Sequence, residues 1–388
     1  MDVELLAELR NQDELLAAAG NLAGGDPLTA ATALRSRGAP PDLAAAALTQ
    51  ATLRRSARAK FGAAADRMFF TRAGLEQATR SVVAERRAAR LAAAGVRTLA
   101  DLGCGLGSDA LACARAGIQV YAVDADPLTA AVARANAAAL GLADRVEVTC
   151  ADATTVEVER YDAVFADPAR RKAGRGRVFD PASFSPPWDF VAGLAARVPR
   201  TVLKLSPGID HGLLPPRAEG EWVSVGGDLV EAAFWCGPLA TAPRRAALLP
   251  AGHELTGDGT TNGPVGPVGR FLYDPDPAVV RAHLVAEFAA TVGGHLADPD
   301  IAYVYSDDPV ETPFARRLEV LEVLPFSLKR LRSALRARDV GRLEIRKRGS
   351  ALEPDKLRRD LKLSGRSAAG VVLTRVANAP TALITTHS

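Results

Sequence analysis

Asp101-Leu102-Gly103-Cys104-Gly105-Leu106-Gly107 is the stretch that decides the fold of this chain. The residues leading into it, Thr98–Leu102 (TLADL), form a short apolar run with strand character, and Ser108–Ala116 after it is helical in pattern. Glycines at alternate positions permit a tight turn and bring the backbone close to a ligand. The start of the following helix adds N–H groups that have no partner within the helix. A dinucleotide-binding loop would place its third glycine where Ser108 stands, so that reading is disfavoured.

Outward from this loop the pattern repeats. Ile118–Val123, Arg145–Thr149, Tyr161–Ala166 and Thr201–Leu205 are further short apolar runs, and Pro127–Leu140 is helical in pattern. Strands alternating with helices predict βαβ units, a parallel sheet and an α/β doubly wound, Rossmann-like domain. Such sheets bind ligands at the carboxyl ends of their strands. There the sequence places Asp124, a carboxylate able to accept from two ribose hydroxyls, with Asp126-Pro127 as a helix cap and first turn. Asp152 follows the third strand. Asp167-Pro168-Ala169-Arg170-Arg171 follows the fourth, and Lys204 with Ser206-Pro207-Gly208-Ile209-Asp210 ends the fifth.

A carboxylate such as Asp167 beside a backbone carbonyl can hold an exocyclic amine or ring N–H and orient its lone pair, so positioning and electrostatics supply most of the rate. The plain alternatives are a strand-end turn at Asp167-Pro168 and a solvated lysine at 204. His211 beside Asp210 is the one histidine near this edge. Chemistry at a pyrimidine C5 needs a cysteine nucleophile near the fourth or fifth strand end, and Asp167-Pro168 and Lys204–Gly208 contain none. Cys104, Cys113, Cys150 and Cys236 show neither CxxC pairing nor a companion histidine, so no metal site is expected.

The flanks differ in character. Residues 1 to about 95 have helical periodicity throughout, and Thr71 with Glu76–Thr79 is placed to lid one end of the crevice. Glu221–Val225, Leu229–Cys236 and Arg245–Leu249 suggest strands, including an antiparallel hairpin. Residues 251–270 are rich in Gly, Pro and Thr, as in a linker. Beyond them the sequence predicts a helix over Pro277–Val292, a strand at Ile301–Tyr305, helices at Phe326–Arg338 and Pro354–Leu361, and strands at Arg342–Arg348 and Val371–Val376. Residues 315–375 hold 17 Lys and Arg against 7 Asp and Glu. The basic residues cluster at Lys329, Arg330 and Arg332, at Arg346, Lys347 and Arg348, and at Arg358-Arg359. Such an excess attracts phosphate backbones. Stacking aromatics are few there, so shape and phosphate recognition of structured RNA suits it better than single-strand stacking.

Asp101–Gly107 resembles motif I of class I methyltransferases, and Asp167-Pro168 resembles motif IV of nucleic-acid methyltransferases, with Ala169 where that pattern has a second proline. FFTRAGLEQAT (69–79), DLGCGLGSD (101–109), FADPARR (165–171), GRVFDPASFSPP (176–187), KLSPGID (204–210) and GRLEIRKRG (341–349) together resemble bacterial class I methyltransferases with a small C-terminal α+β THUMP-like domain. The resemblance implies bound S-adenosylmethionine. It assigns Asp101, Gly103, Gly105, Gly107, Asp124 and Asp152 to the cofactor, Asp152 receiving the adenine amino group. Asp167, Pro168 and Lys204 are expected at the transfer step. Arg170, Arg171 and the cations at 329, 330, 332, 346, 347 and 348 are expected to hold an RNA substrate, tRNA or rRNA, methylated at a base nitrogen.

The implied organisation is a helical region (1–70), a methyltransferase domain (71–250), a connecting segment (251–310) and the THUMP-like domain (311–388). A small-molecule methyltransferase and a non-catalytic RNA-binding protein remain as alternatives. No apolar run spans a bilayer and the first residues are acidic, so a cytoplasmic location is expected. Oligomeric state is not legible.

Overall fold

Caps and prolines set the helix starts. In the computed structural model, which describes residues 1–170 and 184–387, six helices precede the first long strand. They are α1 (Val3–Leu9), α2 (Asp13–Leu22), α3 (Pro27–Arg35), α4 (Pro41–Phe61), α5 (Arg72–Gln77) and α6 (Ser81–Ala93). Asp2 caps α1 through Leu5 N–H, and Asp26 caps α3 through Thr29 N–H at 2.8 Å with Pro27 in the first turn. Each cap satisfies a donor that the helix leaves open.

The chain divides into two compact units, residues 1–218 with 233–241 and residues 219–232 with 242–388. The first holds the expected βαβ series: β1 (Thr98–Leu102), α7 (Ser108–Arg115), β2 (Gln119–Asp124), α8 (Pro127–Ala139), β3 (Val146–Cys150) and β4 (Ala163–Ala166). The two-residue antiparallel strands β5 (Ala169–Arg170) and β6 (Phe184–Ser185), then α9 (Trp188–Arg197) and β7 (Thr201–Leu205), complete it. The order β3-β2-β1-β4-β7 is parallel throughout. The chain winds one way from β1 to β2 and the other way to β4, so the ligand crevice of such a sheet lies at the ends of β1 and β4.

The second unit begins with β8 (Glu219–Val225) and the first part of β9 (Asp228–Trp235), neighbours joined at Gly226-Gly227, both at positive φ. This is the expected hairpin. β10 (Arg244–Leu249) pairs parallel with β8, and β11 (His253–Gly257) pairs antiparallel with β10. Part of the expected linker is therefore strand. After β12 (Phe271–Pro275), the helix expected over Pro277–Val292 is two helices, α10 (Pro277–Arg281) and α11 (Val285–Thr291). His283 at φ +63° interrupts them, since a left-handed residue ends an α-helix.

Strands β13 (His295–Leu296), β14 (Val304–Ser306) and β15 (Ala315–Pro325) follow, then α12 (Leu328–Ala337), β16 (Val340–Lys347), α13 (Pro354–Leu361), β17 (Ser367–Val376) and β18 (Ala379–Thr385). They form one sheet with β12, in the order β13-β14-β12-β15-β18-β17-β16. The basic tail does not make its sheet alone: β12 to β14 lie in the stretch expected to connect, and β12 pairs directly with β15. Leu331, Leu335, Leu357 and Leu361 of α12 and α13 are buried with Val371, Leu373 and Ile384, so both helices cover one sheet face.

One side chain ties the first unit together. Asn136 of α8 is fully buried. Its amide donates to Phe69 O at 3.1 Å and Leu106 O at 3.0 Å, and its oxygen accepts from Phe69 N–H at 2.6 Å. Removing the carboxamide strands three buried backbone groups at about 1–3 kcal/mol each before relaxation. Asn136→Ala is expected to destabilise the protein by about 3 kcal/mol or more in chemical denaturation. A loss under about 0.5 kcal/mol, within the range of ordinary surface substitutions, would contradict this role.

Candidate active site

β1 delivers Asp101 to the crevice and β2 delivers Asp124, with the glycine loop between. Gly103 lies at φ +91°, and a Cβ there would come within 3.1 Å of the Asp167 carbonyl. Asp167 N–H in turn donates to Leu102 O at 3.3 Å. The exits of β1 and β4 thus touch backbone to backbone. Gly105 faces open space, and Gly107, in left-handed conformation, leads into α7. Asp124 holds the loop: Oδ2 accepts from Gly105 N–H at 3.1 Å and Oδ1 from Asp126 N–H at 3.0 Å. Burial pushes its carboxyl up, and those two N–H groups oppose the shift. Each oxygen keeps a lone pair able to accept from a further donor.

Asp101 is fully buried, and neither carboxylate oxygen has a hydrogen-bond partner among the described residues. Burial, then the nearby Asp109 and Asp167 charges, hold this carboxyl well above the usual carboxylate range, against the pull of Arg87. Arg87 of α6 and Asp109 of α7 form a buried ion pair, with the guanidinium 4.7 Å above the Phe165 ring. An orphaned buried carboxyl beside an open glycine loop fits a ligand that brings its own donors, as the amino group of S-adenosylmethionine does. Asp152 sits differently. It is exposed, and its Oδ1 caps the turn at Ala153–Thr155 through Thr154 N–H at 2.8 Å.

On the other side Lys204 Nζ pairs with Asp167 Oδ2. The expected transfer residues are therefore in contact, with Lys204 the more buried partner. Thr71 caps α5 by accepting from Gly74 N–H at 3.0 Å, and a Cβ on Gly74 would collide with Leu106 of the loop. The segment expected as a lid thus packs on the glycine loop. Lys60 fixes it by donating to Leu75 O, Glu76 O and Ala78 O at 2.8–3.0 Å. Burial, then repulsion from Arg80 and Lys204, lowers the Lys60 pKa. Asp210 caps a turn through Gly212 N–H at 2.9 Å. Arg171 lies outside the described residues, and Arg170 is described only as backbone of β5.

The basic cluster of the second unit is largely engaged. Arg346 and Arg348 both clamp Asp274 of β12, at 2.8 and 2.9 Å. Lys347 pairs with Glu353, and Arg332 donates to Asp360 O at 2.6 Å. Lys329 and Arg330 are exposed and make no ion pair among the described residues.

The buried Asp101 carries a stability consequence. Its folded-state pKa lies above the unfolded value near 3.8. The stability it contributes is therefore complete below that value and is lost as pH rises through the raised one. Asp101→Asn, uncharged at every pH, should gain stability over the parent as pH climbs above about 4, and the gap should narrow as pH falls. Denaturation midpoints that stay parallel for the two proteins from acid to neutral pH would contradict it.

Residues 99–171 match the family described as "Methyltransferase domain", residues 315–387 "THUMP domain-like", and residues 2–57 a domain of unknown function. An uncharacterized S-adenosylmethionine-dependent methyltransferase of Mycobacterium tuberculosis is 38% identical over 339 residues, 84% of this chain and 90% of that protein. A 23S rRNA uracil-C5 methyltransferase of Acidithiobacillus ferrooxidans is 36% identical over 114 residues, 28% of this chain and 26% of that one. The crystal structure of a candidate methyltransferase from Porphyromonas gingivalis W83 superposes with a TM-score of 0.76 at 23% identity, covering 96% of this chain and 98% of that one, which shows the shared fold. By these relatives and family matches, the chain belongs to the family of S-adenosylmethionine-dependent methyltransferases and ends in a THUMP-like domain.

Proposed function

We propose that the protein methylates RNA, tRNA or rRNA, at a base nitrogen. The observation that carries the RNA reading lies on α12 and α13. Lys329, Arg330, Lys356 and Arg359 are exposed on these two helices and make no ion pair among the described residues. Charges left uncompensated on a folded face favour a phosphate backbone. The partial likeness to an rRNA methyltransferase supports the same class.

When bound, S-adenosylmethionine supplies a methyl group carried on a positively charged sulfur. Around it, the Gly103–Gly107 loop gives backbone approach and Asp124 accepts from the ribose hydroxyls. Asp152 keeps Oδ2 for the adenine amino group. At the acceptor, Lys204 holds Oδ2 of Asp167, which leaves Oδ1 to receive an N–H of the base and aim its lone pair. Pro168 stiffens the turn that presents this carboxylate.

One observation favours a second reading, a small-molecule methyltransferase: Arg332, Arg346, Lys347 and Arg348 are spent within the protein. The RNA reading then rests on the exposed cations.

Two substitutions separate holding the cofactor from using it. Hydrogen bonds to a charged acceptor contribute roughly 1.5–3 kcal/mol, so Asp124→Ala should weaken S-adenosylmethionine about tenfold to a hundredfold in calorimetry. Asp167→Ala should keep cofactor affinity within a few-fold and lose most methyl transfer to RNA. Lys329→Glu with Arg330→Glu should weaken RNA binding and leave cofactor affinity unchanged. RNA bound equally by that double variant and the parent at every salt concentration would turn the assignment to small molecules.

A further inference from the structure

A cavity of about 680 Å³ opens among α1, α2, α4 and the end of α8, and five arginines line it: Arg10, Arg54, Arg55, Arg58 and Arg67. Among the lining residues only Asp13 and Asp66 oppose them. The way these guanidiniums are held matters more than their number. Arg54 donates from Nε to Met68 O at 2.8 Å, and its guanidinium lies 5.0 Å from the centre of the Phe69 ring. Arg55 donates to Ala23 O, and Arg67 to Ala139 O. Backbone carbonyls fix these three groups without cancelling their charge. Arg58 alone is forked to a carboxylate, Asp66, at 2.9 and 3.0 Å. Arg10 is exposed and has no side-chain partner among the described residues.

A guanidinium carries five N–H donors in a plane that matches phosphate oxygens, and a fixed one loses little freedom on binding. Here each fixed group spends one or two donors, so most remain for a ligand. Ala17, Gly20, Ala51 and Ala139 line the cavity with little bulk. Its volume is in the range of a site for a drug-sized ligand and far exceeds one phosphate ion. A strand carrying successive phosphates fits that space and that charge.

We propose that this arginine-lined cavity is a second nucleic-acid contact, taking consecutive phosphodiester groups of the RNA substrate. It lies at the opposite end of α8 from Asp124. Thirteen residues of helix separate the two, about 20 Å. Asn136 links them, since it holds both Phe69 in the cavity wall and Leu106 in the cofactor loop. RNA held there is anchored away from the reacting base.

The proposal rests on the RNA reading above, and its test keeps the two apart. The full chain is titrated with a fluorescein-labelled unmodified tRNA transcript across a salt series, and separately with inorganic pyrophosphate in a calorimeter. Arg10→Gln with Arg55→Gln should weaken the transcript about tenfold or more, and the salt slope should fall by about 0.7–0.9 for each phosphate no longer neutralised. Asp13→Asn, which removes an opposing charge, should tighten it a few-fold. S-adenosylmethionine affinity and the thermal midpoint serve as folding controls and should not change. A Lys329→Gln and Arg330→Gln protein is run alongside. If that protein loses the transcript while the arginine variant and Asp13→Asn match the parent, the cavity proposal is overturned and the RNA reading stands. If only the pyrophosphate heat changes in the arginine variant, the cavity takes a small phosphorylated ligand and the proposal is again overturned. A parent chain that binds neither this transcript nor an unmodified rRNA transcript overturns both.

Discussion

The backbone of Gly103 lies so close to the carbonyl of Asp167 that a side chain there would sit 3.1 Å from that oxygen. β1 and β4 are parallel neighbours, so their chains leave the sheet side by side. A glycine at positive φ lets both turn away without strain. The loop that follows is then fixed by Asp124 through Gly105, and the Asp167 carboxylate is fixed by Lys204. One close approach sets the distance between the glycine loop and the Asp167 carboxylate, the two groups proposed to hold the cofactor and to meet the acceptor. A wider separation would lose the alignment from which most of the rate of such a transfer derives.

The crevice is organised against the stability of the fold. Asp101 keeps two oxygens without a hydrogen-bond partner among the described residues, in a fully buried setting beside the Asp109 and Asp167 charges. Arg87 offsets part of this through its buried pair with Asp109. Sites of this kind are common where function and stability compete. The second unit shows the reverse economy. Asp274 gathers Arg346 and Arg348 from a neighbouring region of the fold, so much of the local charge serves packing.

Legibility in the sequence followed the range of the interactions. Asp101–Gly107 was legible because glycine conformation and helix capping are local, and the βαβ alternation was legible because burial on both faces leaves continuous apolar runs. Asp167 and Lys204 were each legible as strand ends. Their pairing was not, because it joins residues 37 apart. Asn136 sits in an alanine-rich helix and gives no local sign that its partners lie 30 and 67 residues away. Of the five cavity arginines, Arg54, Arg55 and Arg58 lie together on α4, and only packing brings Arg10 and Arg67 to them. β15 was missed because Arg316, Arg317, Glu319 and Glu322 hide its alternation. β18 was missed because its turn uses Ala377 and Asn378 at positive φ rather than glycine.

We propose that methyl transfer in this protein depends on the Asp167–Lys204 pair, which lies at the crevice that Gly103 defines, with RNA as the acceptor. The most direct measurement combines the purified protein, S-adenosylmethionine with an isotopically labelled methyl group, and RNA from cells lacking the gene. The RNA is then digested and its nucleosides are analysed by mass spectrometry. The account predicts one labelled nucleoside, methylated on a base nitrogen, which disappears with Asp167→Ala although that protein still binds the cofactor. Label on a pyrimidine carbon, or undiminished label with Asp167→Ala, would contradict it.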